Sequence, residues 1–216
     1  MDGRAVVERL LADPPRVHEE LCAPPELGVW RTERQCYDFI ADRVAPAART
    51  LETGLGISTA LFLALGAEHT CVVPSDAQVA ILRRYCDDHG IPTGRLHVGL
   101  GRSEAVLPAL AIAPVDLFLV DGSHGFPTPM IDWFYGARLL RPGGVVVLDD
   151  RQLPAVAMLV EYLDADPRWR AAGGTAKWAA FERTGDAPLA EDWYDQPFLT
   201  RRRPLWKRAL ARALRR

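Results

Sequence analysis

Two aliphatic runs in this sequence end in acidic residues. The run VDLFLVDGSH ends in Asp121 and His124, and the run VVLDD ends in Asp149 and Asp150. Carboxylate oxygens are the ligands that Mg²⁺, Ca²⁺ and Mn²⁺ prefer, and histidine is the side chain best suited to accept a proton near neutral pH. The runs therefore predict that the three aspartates bind a divalent metal ion beside a candidate general base, His124. The alternatives are that an aspartate caps the helix beginning near Pro154 and that His124 is an ordinary loop histidine.

A glycine-rich turn forms a second candidate site. The stretch LETGLGISTALFLA places Gly54 and Gly56 between a predicted strand and a helix that opens at Ser58. Glycine allows a tight turn and close approach to a ligand, and a helix start offers free N–H groups to an anion. The third glycine of a dinucleotide fingerprint would fall at Thr59, which disfavours NAD. Glu52 precedes the turn and would suit a ligand with a cationic amine; a plain strand-to-helix turn is the alternative.

The elements that must position these residues alternate between strand and helix from residue 49 onwards. This alternation predicts an α/β fold with a doubly wound, mostly parallel sheet, since the strands are continuous aliphatic runs that need cover on both faces. Such sheets bind ligands outside the carboxyl ends of their strands, where both candidate sites fall. The predicted strands are RTLE, TCVV, RLHV, VDLFLV, GVVVLDD and AKWAAFERT.

Three regions are predicted along the chain. Residues 1–48 form an N-terminal helical cap, in which residues 32–44 make a helix with Thr32 as its N-cap. Residues 49–200 form the α/β domain. Residues 201–216 form a basic C-terminal helix or tail, which carries eight of the basic residues and no acid.

Composition narrows the class of protein. The 216 residues are 49% apolar and 25% charged, as in an ordinary globular domain. The whole chain has a net charge of −2 and the tail contributes +8, so the first 200 residues carry −10, which argues against a nucleic-acid partner. No apolar run approaches the ~20 residues of a membrane span, and no signal-type segment begins the chain. The four cysteines form no CxxC pair, so reduced thiols in a cytoplasmic protein are expected.

Two stretches resemble a known family. LETGLGIST resembles the first motif of class I S-adenosylmethionine (SAM)-dependent methyltransferases. The segment VDGSHGFPTPMIDWFYGARLLRPGGVVVLDD is similar to the small-molecule O-methyltransferase branch that includes macrolide-sugar and rhamnosyl methyltransferases and cephalosporin-hydroxylase-like proteins. That branch shows an acid–Gly–x–His stretch, a helix, Leu-Leu-x-Pro-Gly-Gly, and a strand ending in paired acids.

The resemblance implies a Rossmann-like sheet with SAM as the cofactor. It places Glu52, Gly54, Gly56 and Ser58 around the methionine part of SAM, with Asp121 also beside the cofactor. Ser103 would contact the adenine.

The sequence departs from the family pattern after the second strand. The family expects an acid there to hold the ribose hydroxyls, and Val73 stands in its place. The nearest carboxylate, Asp76, either reaches the ribose or caps the next helix. Residues 100–102 also lack the acid that follows the third strand in the family.

The leading hypothesis is a metal-assisted O-methyltransferase, with Mg²⁺ as the expected ion, acting on a small hydroxylated molecule such as a sugar or a natural-product scaffold. The metal would lower the pKa of the acceptor hydroxyl, and His124 and Asp121 would act at the reacting oxygen. One alternative is a lyase, cyclase or isomerase that uses the same fold without methyl transfer. The other is an inactive homologue that serves as a binding partner. A homodimer is compatible with the sequence.

Overall fold

The computed structural model of the protein describes residues 2–18, 30–187, 189, 192 and 196. The predicted C-terminal helix lies outside these residues. The strands are β1 (Arg49–Thr53), β2 (Glu68–Val73), β3 (Leu96–Leu100), β4 (Val115–Val120), β5 (Leu140–Leu148), β6 (Trp169–Gly174) and β7 (Ala179–Arg183). The α-helices are α1 (Gly3–Ala12), α2 (Arg34–Ala41), α3 (Ile57–Ala64), α4 (Asp76–Asp88), α5 (Ser103–Val106), α6 (Thr128–Leu139) and α7 (Pro154–Ala165), and a 3₁₀ turn (Leu107–Ala109) follows α5.

The seven strands form one sheet in the order β3-β2-β1-β4-β5-β7-β6. The first five of these are parallel, and β7 runs antiparallel to both β5 and β6. The order reverses between β1 and β4, which is the switch point where doubly wound sheets bind ligands. The predicted doubly wound, mostly parallel sheet is therefore confirmed.

Alternate residues of the central strands pack on opposite faces of the sheet. Leu117 and Leu119 of β4 join the apolar cluster beneath α1 to α4, whereas Phe118 joins the cluster beneath α6 and α7. Because both faces are covered, β4 is apolar almost throughout. Gly136 of α6 lies against the Phe118 ring, where a Cβ would come within 2.2 Å of it, so the missing side chain lets this helix pack closely on the sheet.

The helical cap differs from its predicted start. Helix α2 begins at Arg34 after an extended Glu33, and Thr32 does not cap it. The Thr32 side chain instead donates a hydrogen bond to Asp149 at the end of β5. Helices α1 and α2 pack against α3, which carries the glycine-rich turn at its start. No helix within the described ranges has the length and apolarity to cross a membrane.

Strand β6 was not predicted. Its sequence, WRAAGG, has one large apolar residue and two glycines, and most of its residues are at least partly exposed. It lies at the edge of the sheet and forms because β7 offers it a row of hydrogen-bond partners.

Candidate functional site at the carboxyl edge of the sheet

The carboxyl ends of β1, β4 and β5 meet side by side. The Asp121 N–H donates to the carbonyl oxygen of Thr53 at 3.1 Å, and the Asp149 N–H donates to the carbonyl oxygen of Val120 at 3.1 Å. These bonds continue the parallel ladders one residue past the strands. They bring Asp121 and Asp149 to one rim, as expected for neighbouring parallel strands.

The glycine-rich turn passes directly over the end of β4. Gly54 has φ +104°, and a Cβ there would lie 2.3 Å from the backbone oxygen of Asp121, so only glycine fits. A Cβ on Gly56 would meet nothing within 4 Å. The turn thus presents an open backbone surface at the start of α3.

Glu52 lies beneath the turn and does not face the cavity. Its carboxylate accepts hydrogen bonds from the Ser58 hydroxyl and from the Thr59 hydroxyl, the latter at 2.6 Å. The Thr59 oxygen in turn accepts the Gly56 N–H at 2.9 Å, and His69 Nε2 lies 3.3 Å from Glu52. The expectation that Glu52 faces a cofactor amine is therefore wrong: this fully buried carboxylate holds the turn in shape.

A cavity of about 460 Å³ opens over the glycine-rich turn and the ends of β2, β4 and β5. This volume lies in the range of small-molecule and cofactor pockets. The predicted site residues that line it are Gly54, Gly56, Ser58, Ser103, Asp121, His124, Asp149 and Asp150.

The β2 side of the cavity lacks a carboxylate from that strand. Val73, at the position where the family pattern expects an acid, lines the cavity, but Asp76 does not. Asp76 is the exposed first residue of α4, which Ser75 caps. The polar side chain that lines the cavity there is Gln78, whose amide N–H donates to His18 Nδ1 at 3.0 Å.

The aspartates at the rim influence one another electrostatically. Burial, followed by the charges of Asp149, Glu52 and Asp150, raises the pKa of Asp121 well above its ordinary value. Burial also raises the pKa of Asp149, although the Thr32 hydroxyl and Lys177 act in the opposite direction. This is the conflict expected when carboxylates are crowded together.

Lys177 supplies the cation at this rim. Its ammonium donates a hydrogen bond to Asp150 Oδ1, and its Nζ lies 3.6 Å from Asp149 Oδ2. Burial raises the pKa of Asp150, but the hydrogen bonds from Lys177 and Gln152 outweigh that effect and lower it below its ordinary value. Sequence reasoning missed Lys177 because it precedes the last strand rather than following a parallel one.

The predicted metal site does not fit this arrangement. Lys177 already bonds one proposed ligand, Asp150, and Asp149 accepts the hydroxyl of Thr32. Within the described part of the chain, no group of three or more His, Cys, Asp or Glu side chains could hold a metal ion. The positive charge expected from Mg²⁺ is supplied here by a side chain.

His124 lies between two carboxylates without bonding either. Its Nε2 is 3.8 Å from Asp121 Oδ1, and its Nδ1 is 3.7 Å from Asp150 Oδ2. The Nε2 atom is buried and has no hydrogen-bond partner among the described residues. Burial lowers the pKa of the imidazole despite the nearby carboxylates, so His124 is neutral at physiological pH and can accept a proton.

Some aromatic residues line the cavity, others are buried in the core, and Phe126 and Phe134 are exposed away from the cavity. Trp30, next to Arg31, lines the cavity and stacks on His18 with ring centroids 4.6 Å apart. Trp133 and Trp178 are buried in the two apolar clusters. Trp30 and Arg31 therefore place an exposed indole and a guanidinium at the mouth of the cavity.

The strand order and the position of the cavity define a class I methyltransferase fold. Residues 51–151 match the family model described as a methyltransferase domain. The resemblance noted in the sequence is thereby confirmed for the fold. No curated protein matches this chain.

Solved structures with the same fold include two methyltransferases with a bound cofactor or product. The O-methyltransferase TomG from Streptomyces achromogenes, involved in tomaymycin synthesis and solved with SAM, aligns with a TM-score of 0.63 and 19% identity over 83% of this chain and 90% of its own. The Podospora anserina methyltransferase PaMTH1, solved with S-adenosylhomocysteine (SAH), aligns with a TM-score of 0.59 and 19% identity over 85% of this chain and 88% of its own.

The same fold also serves another substrate. An rRNA methylase from Streptococcus thermophilus aligns with a TM-score of 0.55 and 16% identity over 72% of this chain and 98% of its own. At these identities the likeness establishes the fold, and the acceptor has to be argued from the site.

Proposed function

We propose that this protein is a SAM-dependent O-methyltransferase that acts on a small hydroxylated molecule. The observation that carries the proposal is one cavity that is lined both by the glycine-rich turn and by His124 and Asp121. A methyl donor and an acceptor hydroxyl have to meet in one such space, because methyl transfer needs the two reacting atoms in line.

The turn fits the cofactor. A Cβ on Gly56 would project into open space, and Ser58 and Ser103 line the same cavity. We assign Gly54, Gly56 and Ser58 to the methionine part of SAM and Ser103 to the adenine. Val73 offers the ribose no hydrogen bond, so we assign the ribose to Gln78, a polar side chain of α4 that also lines the cavity. When bound, SAM supplies an electrophilic methyl group.

His124 is placed to remove the proton of the acceptor hydroxyl. Its neutral imidazole has a buried Nε2 without a partner, and an acceptor O–H can donate to that atom. With SAM bound, the acceptor oxygen would take the methyl group as the sulfur–methyl bond breaks to leave SAH, and the hydroxyl proton would move to His124 Nε2. Asp150, whose Oδ2 lies 3.7 Å from His124 Nδ1 and whose pKa is lowered, then stabilises the resulting imidazolium.

The mouth of the cavity favours a small, partly apolar acceptor. Trp30 and Arg31 offer a ring to stack on and a cation for an anionic or hydroxylated group. The acidic body of the chain disfavours nucleic acid.

The test is calorimetric titration of SAM and SAH into the wild type and a matched pair of variants. Gly56→Leu fills open space in the cavity, whereas Gly94→Leu fills open space on the surface. We expect Gly56→Leu to abolish binding and Gly94→Leu to keep it. No binding to the wild type would contradict the proposal. Such a result would favour other chemistry on this fold, for which Val73 is the specific observation.

The acceptor is identified by SAH formation. The wild type is incubated with SAM and a panel of sugars, phenols and catechols, and released SAH is quantified. Turnover only with an amine or with RNA would contradict the O-methyl assignment.

A further inference from the structure

The position of Lys177 is set by the backbone. Strand β7 runs antiparallel to β5 with Leu148 opposite Ala179, so the residues before β7 arrive beside those that follow β5. The Arg151 N–H donates to the Lys177 carbonyl at 2.7 Å, and the Lys177 N–H donates to Thr175 Oγ1 at 3.1 Å. Lys177 therefore reaches the carboxylate rim from a fixed main chain.

Its ammonium lies where the carboxylates of the rim would otherwise bind a cation. It bonds Asp150 and faces Asp149 at 3.6 Å, and the Lys177 side chain is only 27% exposed. A divalent ion on the same oxygens would lie next to this ammonium, and like charges at such distances repel strongly when partly buried. Lys177 and a metal ion therefore cannot both bind the oxygens of Asp149 and Asp150.

We propose that Lys177 replaces a divalent metal ion at this rim and makes methyl transfer by this protein metal-independent. Lys177 is a positioning residue: it holds Asp149 and Asp150 in place through charge and leaves Asp121 and His124 free for the acceptor. The claim that methyl transfer is metal-independent rests on the proposed function. The claim that Lys177 takes the place of a metal ion depends only on the geometry of the rim.

The first experiment tests occupancy without needing an acceptor. Mn²⁺ is titrated into the wild type, Lys177→Met and Lys177→Arg, and bound ion is measured by electron paramagnetic resonance. Methionine keeps most of the length of the side chain and removes its charge. We expect no bound Mn²⁺ in the wild type or Lys177→Arg at millimolar ion, and specific binding in Lys177→Met. Specific binding to the wild type, or none to a folded Lys177→Met, would overturn the proposal.

The second experiment tests the reaction. We expect wild-type turnover to be the same in EDTA and in Mg²⁺. Lys177→Met should lose about 10²-fold in kcat, as a displaced reacting group does, and Mg²⁺ should restore part of it. Loss of wild-type turnover in EDTA would refute metal independence.

SAM binding, measured separately by calorimetry, distinguishes the two proposals. If SAM does not bind, the methyltransferase assignment fails, but the Mn²⁺ titration still decides what Lys177 does at the rim.

Discussion

Thr32 and Asp149, 117 residues apart in the sequence, are joined by a hydrogen bond from the threonine hydroxyl to Asp149 Oδ1. This bond ties the segment before α2 to the end of β5, and both residues are buried. Thr32→Val keeps the shape of the side chain and removes the donor. We expect it to lower the free energy of unfolding by about 2 kcal/mol, because a buried carboxylate loses a partner.

The measurement is urea unfolding, with Thr32→Ser as the control that keeps the hydroxyl. Because the Thr32 bond lowers the pKa of Asp149, the loss should shrink as the pH falls and Asp149 becomes protonated in both states. Equal unfolding midpoints for the valine and serine variants would show that the bond contributes nothing.

The two glycines of the turn should respond differently to the same change. Gly54→Ala puts a Cβ 2.3 Å from a backbone oxygen at φ +104°, which no side-chain movement can relieve. We expect a loss of about 3 kcal/mol or more in the free energy of unfolding. Gly56→Ala adds the same atom in open space and should change stability by less than about 1 kcal/mol. Thermal denaturation of the two variants side by side checks this, and equal losses would contradict it.

Val73 is expected to weaken cofactor binding. A carboxylate at this cavity-lining position could accept hydrogen bonds from the ribose hydroxyls, which are worth about 1.5–3 kcal/mol when one partner is charged. Val73→Asp should therefore tighten SAM binding by about 10- to 100-fold in calorimetry. Val73→Asn, with the same shape and no charge, is the control and should gain less. An unchanged dissociation constant for Val73→Asp would show that the ribose does not lie against this residue.

Much of the carboxylate edge could be predicted from the sequence because it depends on local signals. A parallel strand places the residue that follows it at the ligand edge, so Asp121 and Asp149 are found by reading the ends of aliphatic runs. The same reading places Glu52 at the ligand edge, but its side chain turns inward and accepts hydrogen bonds from Ser58 and Thr59. Sequence position sets the edge on which a strand residue lies and does not set its hydrogen-bond partners.

Lys177 could not be found by that reading. An antiparallel neighbour begins where parallel strands end, so the relevant residue is the one before β7 rather than the one after it. Recognising this requires knowing that β7 pairs with β5 and runs against it. A second antiparallel pairing, between β7 and β6, creates β6, whose own sequence gives little signal for a strand.

His124 should control the pH dependence of turnover. Burial lowers the pKa of its imidazole below the ordinary value of 6.5, and only the neutral form accepts a proton. We expect kcat/KM to be level at neutral pH and to fall as the pH drops through that lowered pKa. His124→Gln should reduce kcat by about 10²–10⁴-fold, the usual contribution of a general base, while SAM affinity stays the same. A glutamine variant that keeps both the rate and the acid limb would remove His124 from the mechanism.

Asp132 of α6 should make stability depend on pH. It is fully buried, and burial raises its pKa to about 6, an effect that the Ser103 and Thr53 hydroxyls only partly offset. The folded state therefore holds a proton that the unfolded state releases near the ordinary value of 3.8. Stability then falls as the pH rises from that value to about 6 and stays lower above it.

Asp132→Asn mimics the protonated carboxyl at every pH. Two pKa units correspond to about 3 kcal/mol, so at about pH 8 the variant should be more stable than the wild type by up to that amount. Near pH 4, where the wild-type carboxyl is protonated in the folded state, the two should unfold almost together. Urea unfolding at both pH values provides the measurement, and the low-pH pair serves as the internal control. A gain of equal size at both pH values would trace the effect to packing rather than to the charge, and a loss at high pH would mean that the ionised carboxylate is stabilised in the folded protein.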